Sequence, residues 1–82
     1  MIAPIVNVLG YFYYGTGDKE KAKSLFEEYI ELYPNGYNPY DSMGEFYYNE
    51  GDLENAKLYY NKAVEKYYAA TVANGRLSEL ND

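Results

Sequence analysis

Two stretches of this chain are near copies of each other, 34 residues apart. The run Gly10-Tyr-Phe-Tyr-Tyr-Gly-Thr-Gly-Asp-Lys-Glu-Lys-Ala-Lys23 returns as Gly44-Glu-Phe-Tyr-Tyr-Asn-Glu-Gly-Asp-Leu-Glu-Asn-Ala-Lys57. Setting residues 3–36 against 37–70 gives eleven identities: Gly10, Phe12, Tyr13, Tyr14, Gly17, Asp18, Glu20, Ala22, Lys23, Glu31 and Tyr33, each equal to the residue one period on. A fixed period of this length marks a stacked repeat fold, in which no unit buries its apolar face alone. Such stacks hold partners far more often than they do chemistry. The repeat therefore sets the class of function before any single residue is weighed.

Eighty-two residues make one small domain, 1–82, whose single core is marginal without neighbouring surfaces. With no Cys there is no disulfide framework and no thiol redox site. With no His the commonest general base and metal ligand is missing. A net charge of -6 argues against nucleic acid, which needs a basic stripe, and against an anionic membrane surface. Basic partners remain open. The apolar start, Met1-Ile-Ala-Pro-Ile-Val-Asn-Val-Leu9, lacks a basic n-region and already belongs to the first copy, so it does not read as a signal peptide. No run approaches the length of a membrane span. No compartment is indicated, and the cytoplasm is the default.

Residues 4–15 read as a first helix, with Pro4 suited to its first turn. Gly15-Thr16-Gly17 ends it, and Gly17 can take the left-handed conformation that closes a helix. Asp18 then stands where a carboxylate caps a second helix, about 18–33. Its Ala22, Leu25, Phe26, Tyr29, Ile30 and Tyr33 form one stripe of a 3.6-residue period. Tyr33-Pro34-Asn35-Gly36 stops it. The cycle then returns. Asn38 caps a third helix over 39–49, with Pro39 in its first turn. Gly51-Asp52 repeats the tight turn, and a fourth helix from Asp52 carries Ala56, Tyr59, Tyr60, Ala63, Val64 and Tyr67. Tyr68-Ala69-Ala70 breaks nothing where Pro34-Asn35-Gly36 did. Val72, Ala73, Leu77 and Leu80 pattern a closing helix over 71–82. It either follows a short break near residue 70 or continues one long helix towards 80, which would invite domain swapping.

These residues resemble the tetratricopeptide repeat (TPR) family, built of 34-residue helix–turn–helix units. The small residue that lets helix B approach helix A is Gly10 in one copy and Gly44 in the other, preceded by Leu9 and Met43 and followed by Tyr13 and Tyr47. The turn carries Gly17-Asp18 and Gly51-Asp52. The small residue of helix B is Ala22 and Ala56, with Phe26 and Tyr60 four places on. Pro34 closes the first unit. Three positions depart from the pattern. Tyr29 stands where copy two has the small Ala63, Val6 stands where copy two has the bulky Tyr40, and no proline follows copy two. The resemblance implies an all-α solenoid of two repeats, 3–36 and 37–70, plus a C-terminal helix over 71–82. Tyr33–Tyr47 is also similar to the TPR tail that follows the catalytic domain in some bacterial serine hydrolases of the β-lactamase-like group, which would make the chain an accessory module.

The resemblance further implies that the A helices line a concave face that takes a peptide or protein segment. Carried over residue by residue, that face is Asn7, Tyr11 and Tyr14 from the first helix. The third helix adds Asn38, Asp41, Glu45, Tyr48 and Asn49. Tyrosine offers rigid contact area with a hydroxyl, and asparagine can bond a peptide backbone. Tyr14 and Tyr48 read equally as packing residues, and Asp41 and Glu45 as a solvated face. TPR units that clamp an acidic C-terminus use basic residues in this groove. Asn7, Tyr11, Asp41 and Glu45 do not provide them, so a basic or apolar-aromatic partner fits better. Catalysis is not expected: Ser24, Ser42 and Ser78 have no His to activate them. No cofactor is implied. Asp41 and Glu45 could share a cation one helical turn apart, but without a calcium-binding loop they read as surface carboxylates.

The first helix carries one more signal. Between Ile5 and Tyr14 only Asn7 is strongly polar, and a helix apolar almost all round is normally buried. Ile5, Val8 and Phe12 therefore predict a neighbour beyond the first repeat. That neighbour could be a preceding domain, a second copy of the chain or a client; the second copy gives a rival reading, a self-associating module that pairs through the first helix or through a swapped C-terminal helix.

Overall fold

A computed structural model describes residues 4–66. Four helices follow in chain order: α1 Ile5–Thr16, α2 Lys19–Leu32, α3 Asn38–Asn49 and α4 Leu53–Lys66. The expected closing helix over 71–82, and the choice between a break and a continuous helix near residue 70, lie outside the described residues.

The helix ends are set by the local chemistry of the repeat. Pro4 sits just before α1 with φ -57°, and its carbonyl accepts the N–H groups of Asn7 at 3.0 Å and Val8 at 3.3 Å. The first tight turn recurs bond for bond in the second. Gly17 has φ 93° and Gly51 φ 81°, a region that suits glycine because no Cβ clashes there. Gly17 N–H donates to Tyr14 O and Asp18 N–H to Tyr13 O, while Gly51 N–H donates to Tyr48 O and Asp52 N–H to Tyr47 O. Each following aspartate caps the next helix: Asp18 Oδ1 accepts from Lys21 N–H, and Asp52 Oδ1 from Asn55 N–H, both at 3.2 Å.

One expected cap is corrected. Asn38 does not cap α3; it is the first helical residue, and Tyr37 takes the cap position without a side-chain capping bond. Tyr37 already has helical backbone angles and its carbonyl accepts Asp41 N–H at 3.0 Å, so the helix begins one residue early. Pro39, without an N–H, fits the first turn where none is needed.

Within each repeat the two helices meet at a glycine. A Cβ added at Gly10 would lie 2.7 Å from Phe26 Cε1, and one at Gly44 would lie 2.7 Å from Tyr60 Cδ1. Each aromatic ring thus rests directly on the partner helix backbone, and both rings are fully buried. Two core clusters result, one around Ala22, Phe26, Met43 and Phe46, the other around Tyr40, Ala56, Tyr60 and Ala63. Ile30, Tyr47 and Tyr59 pack against both. The Phe26 and Phe46 rings lie 6.2 Å apart across the repeat boundary, and Tyr47 stacks on Tyr59 at 5.6 Å. Tyr40 ties the inter-repeat loop to α3 by donating to the Pro34 carbonyl at 2.7 Å.

Candidate functional site

Side chains near both ends fix α1 beside α3, running the same way. Near their starts, Ser42 Oγ donates to Asn7 Oδ1 at 2.9 Å. Near their ends, the Tyr14 ring meets Phe46 edge-on at 5.5 Å, and the Tyr14 hydroxyl donates to Glu50 Oε2 at 2.8 Å. Lys19 Nζ, at the start of α2, closes on the other Glu50 oxygen at 3.3 Å. Between these anchors stands Tyr11. Its ring packs edge-on against Phe26 at 5.0 Å, and its hydroxyl reaches Ser42 and Glu45.

The expected site residues therefore fall into groups. Asn7, Tyr11, Asp41 and Glu45 come together between the start and the middle of the α1–α3 wall, joined by the buried Ser42. Tyr14 is held at one end by Phe46 and Glu50, and the exposed Asn49 precedes Glu50 at the close of α3. Tyr48 is half-buried against the Tyr40–Tyr60 cluster, a packing position. Asn38 lies apart, lining an apolar notch of about 240 Å³ with Pro4, Tyr29, Tyr33, Tyr37 and Pro39. A second, polar recess of about 270 Å³ lies over Ser24, Glu28 and Glu31 of α2, away from the wall.

Away from the Lys19–Glu50 pair at its end, the wall carries charge of one sign. α1 carries no charged residue, and the charges of α3 are Asp41 and Glu45. The lysines belong to α2 and α4, where several lie over tyrosine rings: Lys21 over Tyr13, Lys23 over Tyr47, Lys62 over Tyr59 and Lys66 over Tyr40. Burial pushes the Tyr11 phenol up to about 12; the Ser42 hydroxyl opposes this, and the charges of Glu45 and Asp41 add to it. The Tyr14 phenol is also raised, by burial and then by its bond to Glu50, while that same bond lowers Glu50. Among the described residues no group of three or more acidic side chains is placed to hold a metal ion, and no helix is long and apolar enough to cross a membrane.

Two helix–turn–helix units with matching turns, glycine contacts and aromatic rings define the architecture, and the tetratricopeptide repeat family model matches residues 3–35 and 37–65. The chain belongs to the tetratricopeptide repeat family. In TPR terms α1 and α3 are the A helices and α2 and α4 the B helices. TPR modules generally mediate protein–protein interaction and are typically non-catalytic. No curated protein matched the chain in a sequence search.

Two residues of this TPR wall escaped sequence reasoning. Ser42 was visible only as a hydroxyl lacking a histidine, yet it is the buried link between Asn7 and Tyr11. Its signal was a small polar residue at the position where copy one has Val8. Glu50, beside the repeated Gly-Asp turn, carried no signal of its joint bond to Tyr14 and Lys19.

The Tyr11 phenol gives a testable pH dependence. Its proton is held more tightly in the fold than in the unfolded chain, where its value is 10.0. The stability it supports is therefore complete below pH 10 and falls as pH rises towards 12. Urea midpoints for the parent and for Tyr11→Phe, taken across that window, should show a shallower alkaline decline in the variant. Parallel declines would mean that Tyr11 is not the titrating group.

Proposed function

We propose that the α1–α3 wall binds an extended segment of a partner protein bearing Lys or Arg, without catalysis. The observation that carries this reading is the one-signed wall, with Tyr11 set between Ser42 and the carboxylates Asp41 and Glu45. A lysine or guanidinium laid over the wall would meet those carboxylates, and the Tyr11 ring would cover its methylene stem. Asn7, Tyr14 and Asn49 would extend the contact along the two A helices. An acidic segment would be repelled.

Fluorescence anisotropy with a labelled decapeptide of alternating Lys and Leu, and its Glu-for-Lys counterpart, tests this directly. The basic peptide should bind and the acidic one should not. Glu45→Lys should weaken the basic peptide at least about tenfold, on the order of 1.4 kcal/mol, with unchanged helical circular dichroism. Equal binding of both peptides, or indifference to Glu45→Lys, would remove the wall as the site.

A further inference from the structure

α1 has a second outward face, and none of the other described residues covers it. Val6 and Gly10 are buried, and Asn7 and Tyr11 serve the wall. The remaining stripe is Ile5, Val8, Leu9 and Phe12, at spacings i, i+3, i+4 and i+7. All four are exposed, Ile5 by 72%, Phe12 by 58%, Val8 by 50% and Leu9 by 38%. One period on, the same positions are Pro39, Ser42, Met43 and Phe46, and all four are buried. What buries them is the preceding repeat: Met43 and Phe46 pack with Ala22, Phe26, Ile30 and Tyr14. The fold thus displays the fate of this register position, which is cover by another helical surface.

We infer that the stripe is covered by α1 of a second copy of this chain, in a two-fold dimer. Charge selects that occupant. Each copy carries -6, and like charges must be kept apart for two copies to meet. Ile5–Thr16 holds no charged residue, whereas α2, α3 and α4 each carry carboxylates. A charged partner gains nothing on this face, but a second copy can approach here without opposing carboxylates. Size agrees. Two such stripes would bury on the order of 1,000 Å² in total, the lower bound of a specific interface, so the dimer is weak and concentration-dependent. The stripe is also self-complementary: in an antiparallel crossing, the Ile5 end of one copy meets the Phe12 end of the other. Gly15, with no atom within 4 Å of where its Cβ would stand, leaves bare backbone at the edge of the stripe for close approach.

Sedimentation equilibrium of the full chain from about 5 µM to about 1 mM tests the pairing. The mass should rise from 9.5 kDa towards twice that value. Raising salt from about 50 to about 500 mM should strengthen association several-fold, because repulsion between the copies is screened. Val8→Asp with Phe12→Glu should hold the mass at 9.5 kDa throughout, with helical circular dichroism intact, since neither residue belongs to a core cluster. Ile5→Lys, at the most exposed position, should do the same and serves if the double variant misfolds. Leu58→Glu, an exposed apolar site on α4, should leave the dimer unchanged. A parent chain that stays at 9.5 kDa at every concentration overturns the pairing and assigns the face to a different protein or to chain outside the described residues. A mass that climbs past two copies overturns it in favour of head-to-tail stacking. A dimer that survives Ile5→Lys and the double variant pairs elsewhere.

Discussion

Phe26→Ala is expected to leave the chain unfolded at 25 °C. The ring is 1% exposed and serves three contacts at once. It lies on the backbone at Gly10, supports Tyr11 edge-on, and meets Phe46 of the next repeat. Removing a buried Phe ring costs about 3–5 kcal/mol. A core of this size seldom supplies more than about 3–5 kcal/mol in total. The loss therefore matches the whole margin. Urea titration followed at 222 nm should show little cooperative transition, while Phe26→Leu, which keeps most of the volume, should retain one. A loss below about 1 kcal/mol would mean that the ring does not join the repeats. Because Phe26 also underlies Tyr11, even a residual fold should lose the basic-peptide site.

Gly44→Val should be nearly as damaging, and for the opposite reason. The first added carbon would stand 2.7 Å from Tyr60 Cδ1 and 2.8 Å from Cε1. Tyr60 is 0% exposed and its ring has nowhere to swing. Overpacking of this kind costs about 1–3 kcal/mol, and the branched methyls of valine place the effect at the upper end. Gly44→Ala should cost less, because alanine recovers about 1 kcal/mol of helix propensity. Gly15→Ala is the informative contrast. It sits in α1 with nothing within 4 Å, so the propensity gain stands unopposed and stability should rise. Chemical denaturation of the three variants in dilute solution checks the ordering. A stabilising Gly44→Ala would show that Tyr60 yields more easily than its burial implies.

The two proposed surfaces are separable by ionic strength. Salt should weaken the attraction between a basic peptide and Asp41 and Glu45, yet strengthen an apolar contact between two acidic copies. Glu45→Lys acts on the first and Ile5→Lys on the second. A failure of either proposal can therefore be recognised without reference to the other.

Much of the fold was legible because repeat chemistry is local. The Gly17-Asp18 and Gly51-Asp52 pairs specify a left-handed closing residue followed by a capping carboxylate, and both occur where expected. The glycine–aromatic contacts followed from the shared 34-residue register, and the exposure of Ile5, Val8 and Phe12 from the apolarity of the first helix. What was not legible depends on partners just over one period away. Asn7 meets Ser42, 35 residues on, and Tyr14 meets Glu50, 36 residues on. Neither offset appears when the copies are aligned at 34, and both rest on rotamers that a pattern does not encode. Asn38 misled because its side chain suits a cap, while the backbone at Tyr37 had already turned helical. Tyr29 departs from the small residue that copy two has at its position. It is buried, and it lines a notch with Pro4 and residues of the Tyr33–Pro39 connection.

Ile30, Tyr47 and Tyr59 each touch both core clusters, so the 34-residue period is not the unit that stands alone. A cut at residue 36 would strip Phe26 and Ile30 of the partners that keep them dry. Evolution or a protein engineer can lengthen this array by adding copies, but cannot halve it. The smallest piece expected to fold is the pair, because its two cores share these three side chains.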